Sequence, residues 1–102
     1  MDVYIEKLGM RFSWHDKKLH ANERNHEGIS LEDAIEAYLD PDALYMSAGE
    51  GHADGRQAVI GKTEKYVTLF VVQIERTEMD ILFISARHAT PDERKRYEAR
   101  LY

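Results

Sequence analysis

The chain contains no cysteine, which excludes a disulfide, a thiol nucleophile and a cysteine-ligated zinc site and favours a reducing compartment. It also has no run of about 18 apolar residues, so we predict no transmembrane helix. The first residues lack the basic and apolar regions of an export signal. We therefore expect a cytoplasmic protein with no membrane partner. Its 102 residues, 43% of them hydrophobic, suit one domain spanning 1–102.

Basic residues are missing from one long segment of the chain. Residues 27–54 contain 8 acidic residues and no Lys or Arg, so the rest carries 14 basic and 19 − 8 = 11 acidic residues. The net charge of −5 argues against a simple polyanion-binding surface, because phosphate contacts need clustered cations. The segregation of charge nevertheless permits a basic cleft in one part and an acidic face in another. The acidic face could bind a basic partner.

The pattern of apolar residues predicts an α+β domain. Alternation with a period of two indicates strands, and apolar residues at i, i+3, i+4 and i+7 indicate an amphipathic helix. Short connections between the later strands predict an antiparallel meander, with two N-terminal helices and one C-terminal helix packed against it. The predicted elements are a strand over 10–14, helices over 16–26 and 30–40, an extended segment over 43–46, strands over 57–61, 66–75 and 79–86, and a helix over 91–101.

The stretch 84–98 joins a hydrophobic strand to a capped helix, with Arg87 between them. Thr90 suits the N-cap, Pro91 the first helical position and Glu93 the third, where its carboxylate can reach back to the cap. A charged residue at the end of a core strand usually lies at the rim of the sheet, where it can reach a ligand. Arg87 is therefore our first candidate for chemistry. The alternative is a rim salt bridge with a nearby carboxylate.

The five histidines include no pair at the i, i+4 spacing of a helical metal site, so we predict neither a metal nor another cofactor. Cleavage of RNA needs neither, because the 2′-OH is an internal nucleophile and the protein supplies only proton transfer and positive charge. His52, in a predicted loop, precedes Arg56 by four residues at the entry to a strand. The two could meet at the rim of the sheet, or they could be a solvated histidine and an edge charge.

Two further basic features could bind RNA. Lys18, Asn22 and His26 fall at i, i+4 and i+8 of the first predicted helix, which places them on one polar stripe. Lys62 lies beside a predicted hairpin tip. Both features have an ordinary alternative, a solvated helix face in one case and a solubilising lysine in the other.

Taken together, these segments resemble the BrnT family, the ribonuclease toxins of type II toxin–antitoxin modules. The resemblance runs from Phe12 to about Glu98. It depends on the order and spacing of many short matches: Phe12-Ser-Trp14, Lys18 with Asn22 and His26, Gly28-Ile-Ser-Leu-Glu-Asp-Ala34, Asp40-Pro41, Arg56 with Ile60-Gly61, Glu75-Arg76, and Ile84-Ser-Ala-Arg87 with Ala89-Thr90, Glu93-Arg94 and Tyr97-Glu98.

The resemblance implies a RelE-like fold and a translation-blocking endoribonuclease. It also implies a BrnA-like antitoxin, through which alone the complex binds operator DNA. The implied working residues are His52, Arg56 and Arg87, supported by Lys18 and His26. Our leading hypothesis adds Lys18 and Lys62 as ligands of flanking phosphates. Two alternatives remain open at this point. One is a catalytically weak toxin-fold module that acts with its antitoxin as a transcriptional co-repressor, and the other is an unrelated structural domain.

Overall fold

The architecture comes from a computed structural model that describes residues 2–15, 28–47 and 55–100. For Asp2, Val3, His15 and Ser47 it describes the backbone alone. The helix predicted over 16–26 lies outside the described residues. The described elements are strands β1 (Asp2–Lys7) and β2 (Met10–His15), helix α1 (Leu31–Tyr38), strands β3 (Leu44–Ser47), β4 (Gln57–Lys62), β5 (Thr68–Thr77) and β6 (Asp80–His88), and helix α2 (Pro91–Ala99).

The described strands form one six-stranded mixed sheet in the order β1-β2-β6-β5-β4-β3. All neighbouring pairs are antiparallel except β2 and β6, which run parallel, with Phe12 opposite Ile81. The α+β class agrees with the prediction, but the predicted antiparallel meander is wrong. The described residues form two helices, and a parallel pair lies inside the sheet. Periodicity identifies a strand and gives no information on its neighbour, so the sequence could not place β2 beside β6.

Strand β1 was missed because its connection to β2 is an unusual turn. Leu8 and Gly9 join the two strands, and both have positive φ, 55° and 76°. Two positive φ angles in a two-residue loop are typical of a hairpin turn whose twist suits the flanking strands. Asn-Gly or Asp-Gly is the usual sequence for such a turn, whereas a leucine rarely adopts positive φ. The Leu-Gly pair therefore gave no hairpin signal.

Helix α1 covers one face of the sheet. Ser30 and Asp33 form its capping box, as the sequence predicted. Its apolar residues pack with a core that includes Phe12, Trp14 and Val71. The helix backbone comes very close to β4 at Gly61, where an added Cβ would lie 2.0 Å from the carbonyl oxygen of Ala37. Glycine is therefore required by the close approach of helix and strand.

Helix α2 packs on the opposite face of the sheet. Ile60 and Phe70 alternate with residues of the α1 core along their strands, and they pack with Ala89 and Tyr97 in a second, smaller cluster. Tyr97 is 2% exposed, and its hydroxyl donates a hydrogen bond to Asp40. This contact ties α2 to the chain segment that follows α1. Neither described helix is long and apolar enough to cross a membrane.

Candidate active site

Arg87 lies near the end of β6, on the sheet face that carries α2. Its cross-strand neighbour is Phe70, and the guanidinium carbon lies 4.2 Å from the centroid of the Phe70 ring. Two guanidinium nitrogens donate to the two carboxylate oxygens of Glu93, at 2.7 Å and 2.9 Å. One of them also donates to the backbone carbonyl of His88 at 3.1 Å. The aromatic ring and the bidentate carboxylate together fix the plane of the guanidinium.

The cap of α2 places Glu93 beside Arg87. Thr90 is the N-cap and accepts a hydrogen bond from the backbone N–H of Glu93, while Glu93 Oε1 accepts one from the backbone N–H of Thr90 at 2.9 Å. The predicted capping box is thus confirmed. The same oxygen also accepts from Arg87, so one carboxylate completes the helix cap and holds the arginine. The salt bridge that the sequence left open for Arg87 is present.

Electrostatics keep both members of this pair ionised. The hydrogen bonds from Arg87 lower the pKa of the Glu93 carboxyl, and the hydrogen bond to Glu93 raises the pKa of the Arg87 guanidinium. The Arg87 side chain is still 39% exposed. Within the described chain, its hydrogen bonds use three of the five guanidinium N–H bonds. The other two can donate to an anionic ligand.

Lys62 lies on the same face of the sheet as Arg87. Lys62 pairs with Thr68, whose carbonyl accepts a hydrogen bond from the Ala89 backbone at 3.0 Å. This row of residues is next to the row formed by Ile60, Phe70 and Arg87, at about 7 Å along the strands. A cleft of about 650 Å³ opens over it, lined by basic side chains that include Lys62, Arg94 and Lys95.

Arg56 lies towards the opposite end of β4. It precedes the first strand residue, four positions before Ile60, and this corresponds to about 13 Å along the strand. Arg87 is two strands across from Ile60, at about 10 Å. Lys62 is also two strands across from Arg87, at about 10 Å, but it is only about 7 Å away along the strands, so the described sheet places Lys62 nearer to Arg87 than Arg56. Three other predicted site residues, His52, His26 and Lys18, lie outside the described residues.

Several contributors to this site had no distinct signal in the sequence. Glu93 was predicted as a cap but not as the partner of Arg87, because that contact depends on how α2 turns back against β6. The stacking of Arg87 on Phe70 depends on cross-strand register, which periodicity does not determine. For Arg94 and Lys95 the sequence did carry a signal, because their spacing from Pro91 places both on one face of α2. Among the described residues, no cluster of three or more His, Asp or Glu side chains is arranged to bind a metal.

Residues 14–93, more than half of the chain's length, match the family model described as the ribonuclease toxin, BrnT, of type II toxin-antitoxin systems. The matched range contains the last two residues of β2, all of α1 and β3 to β6, and the first three residues of α2, and it therefore includes Arg87, Lys62 and Glu93. Among curated proteins, none matches this chain.

Proposed function

This chain belongs to the BrnT family, the ribonuclease toxins of type II toxin–antitoxin systems, and on that premise we propose that it cleaves RNA without a metal ion and thereby blocks translation in the cytoplasm. The observation that carries the proposal is Arg87, a partly exposed arginine held on the sheet face next to a basic cleft. Family membership also removes one possibility raised by the sequence, an unrelated structural domain.

The proposed reaction uses the substrate's own 2′-OH as the nucleophile. A base removes the hydroxyl proton, the 2′-oxygen forms a bond to phosphorus, and the bond from phosphorus to the 5′-oxygen breaks. An acid then protonates the leaving 5′-oxygen. The products are a 2′,3′-cyclic phosphate and a 5′-hydroxyl end. We assign the two proton transfers to His52 and His26, because neutral histidine can accept a proton and its charged form can donate one near neutral pH.

Positive charge stabilises the crowded phosphorane in this scheme. We assign that role to Arg87 and Arg56, two long side chains that would extend towards the reacting phosphate from different positions on the sheet. Arg87 is the better supported of the two, because Glu93 and Phe70 fix its guanidinium before any substrate binds. Preorganised charge is effective because it needs no rearrangement during the reaction. Lys18 and Lys62 would bind flanking phosphates.

A type II system includes an antitoxin protein, and we propose a BrnA-like, DNA-binding antitoxin for this chain. Operator DNA would then be bound only through that partner. The acidic residues of α1 favour a basic docking surface on the antitoxin, since Glu32 and Glu36 lie on the helix covering the sheet face opposite to α2. Such an arrangement would leave the basic cleft beside Arg87 for RNA.

A second candidate function is a catalytically weak module that acts with its antitoxin as a transcriptional co-repressor. The observation in its favour is the Arg87–Glu93 pair, because a bidentate carboxylate offsets much of the positive charge that a phosphorane would use. The overall net charge of −5 favours it too. Activity of the purified chain on RNA distinguishes the two functions.

The test is cleavage of a single-stranded RNA by the purified chain in the presence of EDTA. We expect products ending in a 2′,3′-cyclic phosphate and a 5′-hydroxyl, and no cleavage of the same sequence made as DNA. Arg87→Ala should lower the rate about 100-fold or more, a loss typical of removing one donor to a developing oxyanion. Full dependence on added Mg²⁺, or no cleavage by a folded wild-type chain, would contradict the proposal.

A further inference from the structure

The turn between β4 and β5 displays a tyrosine at a conformation that favours glycine. Tyr66 has a φ of 63°, and 83% of its surface is exposed. The sequence predicted Tyr66 at the start of a strand, but β5 begins at Thr68. Hydrogen bonds hold the turn: the Thr63 hydroxyl oxygen accepts from the backbone N–H of Lys65 and Val67, and the Thr63 carbonyl accepts from that of Tyr66. The backbone of Tyr66 is therefore held at a defined position, and its side chain projects from there into solvent.

Packing does not explain why a tyrosine occupies this position. A bulky residue in the left-handed region is strained, whereas glycine adopts the same φ without penalty. Tyr66 makes no ring contact with any residue in the described ranges. Strained residues with no structural benefit occur at ligand-binding sites. An exposed aromatic ring on a turn with a fixed backbone suits stacking against a flat ligand.

The surface beside Tyr66 is positively charged. The cleft of about 650 Å³ lies between the turn and one face of α2, where Arg94 and Lys95 point with Glu98. Lys62 enters from β4. Within 28–47 and 55–100, none of these three cations forms an ion pair. The cleft thus offers three cations against one carboxylate, and it lies one row of residues from Arg87.

We propose that this cleft is a nucleotide subsite, in which Tyr66 stacks on a base and Lys62, Arg94 and Lys95 bind the adjoining phosphate. This inference rests on the proposed ribonuclease function and extends it, because it names the place where the RNA next to the cleaved bond would bind. Single-stranded RNA supplies both components at the required proximity, an aromatic base and a phosphate. The subsite would fix the position of the RNA relative to Arg87.

An acidic protein segment is the competing occupant, since it would also bind cations. RNA is favoured because the cleft combines positive charge with an exposed aromatic ring, and successive bases stack on such rings whatever their sequence. A carboxylate segment would not need the ring. The two occupants therefore differ in their dependence on Tyr66.

The experiment measures binding of a fluorescent, single-stranded 2′-O-methyl RNA to the full chain, because the methyl group removes the nucleophile and prevents cleavage. Tyr66→Gly should weaken binding roughly five- to a hundredfold, and Tyr66→Phe should bind as the wild type does. Glycine suits the local φ, so Tyr66→Gly should remain folded, as judged by circular dichroism. Tyr66→Asn, which also tolerates positive φ, is the second variant.

Two matched controls separate the cleft from general effects. Tyr4→Ala removes another exposed tyrosine, from β1 at the far edge of the sheet. Arg96→Gln removes a charge from α2 outside the cleft, in contrast to Arg94→Gln inside it. Arg94→Gln should lower the slope of log affinity against log salt by about 0.7, the value for one phosphate on a single strand. Neither control should change Tyr66-dependent binding.

The outcomes distinguish this subsite from the ribonuclease proposal. If Tyr66→Gly and Tyr66→Asn bind the RNA as tightly as the wild type, the subsite is wrong, even when unmodified RNA is cleaved. It is also wrong if substitution of Tyr66 weakens binding of a 20-residue poly-glutamate peptide but does not weaken binding of RNA. A chain that binds RNA through Tyr66 but cleaves none would retain the subsite and contradict the ribonuclease.

Discussion

At the scale of single residues, Glu93 has two structural tasks. Its carboxylate accepts from the Thr90 backbone, which completes the cap of α2, and from Arg87, which fixes the guanidinium over Phe70. A capping carboxylate near a helix N-terminus is stabilised by the helix dipole as well. The position of Arg87 is therefore coupled to the start of α2. A change at the cap should alter the site, and a change at Arg87 should alter the stability of the helix.

This arrangement predicts a dependence of stability on pH. The pKa of Glu93 is lower in the folded chain than its ordinary value, so its contribution to stability is present above that ordinary value and is lost as the pH falls through the folded pKa. The stability of the wild type should therefore decrease below about pH 5. Glu93→Gln keeps a capping oxygen and removes the charge, so its stability should decrease less steeply over the same range. Urea unfolding between pH 3 and 7 measures this.

Glu98→Gln is the matched control for that experiment. It removes the same charge from the same helix at an exposed position, where the carboxylate makes no hydrogen bond or ion pair with any described residue. Its unfolding curves should follow the wild type at every pH. Equal slopes for the wild type and Glu93→Gln would show that the carboxylate does not contribute in this way.

At the scale of elements, the stability of the fold depends on the close packing of α1 against β4. The absence of a side chain at Gly61 lets the helix backbone lie against the strand at Ala37. Strand β4 also ends at Lys62, whose backbone N–H donates to Asp40 at 2.8 Å. The same carboxylate accepts from Tyr97 of α2. Helix α1, β4 and α2 are therefore joined at one corner of the sheet, next to the basic cleft.

Gly61→Ala should destabilise the fold strongly. The new Cβ would meet the carbonyl oxygen and carbonyl carbon of Ala37 at 2.0 Å and 2.7 Å, and both atoms belong to the helix backbone. Overpacking of this kind costs about 3 kcal/mol in free energy of unfolding when the neighbour cannot move aside. Gln57→Ala, an exposed change on the same strand, should cost much less. Denaturant unfolding of both variants tests this, and a Gly61→Ala variant as stable as the wild type would contradict it.

Elements with a local signal were predictable from the sequence, whereas their pairing was not. Helix α1 and helix α2 were predicted with their caps, because Ser30 with Asp33 and Thr90 with Glu93 are three residues apart. Strands β3 to β6 were found close to their observed positions. Strand β1 was missed, since the turn at Leu8 has no common turn residue at its first position. The parallel pairing of β2 with β6 joins segments about 70 residues apart, which no local pattern reports.

At the scale of the whole molecule, charge is divided between the two faces of the sheet. Helix α1 presents Glu32 and Glu36 on one side, and the cleft beside α2 presents Lys62, Arg94 and Lys95 on the other. Two residues of the acidic segment, Glu32 and Glu36, therefore lie across the sheet from the cleft, whereas Asp40 of the same segment lies at the corner next to it. Such a division suits a toxin that binds RNA on one side and its antitoxin on the other. The net charge alone does not report this distribution of charge.

The central claim, that this chain is a ribonuclease toxin acting through Arg87, is tested most directly by inducing it alone in a bacterial host. Growth and the integrity of cellular RNA are followed for the wild type and for Arg87→Ala, at equal protein levels measured by immunoblot. We predict growth arrest and RNA cleavage with the wild type, and normal growth with intact RNA for Arg87→Ala. Normal growth with the wild type, or equal toxicity of the two proteins, would contradict the claim.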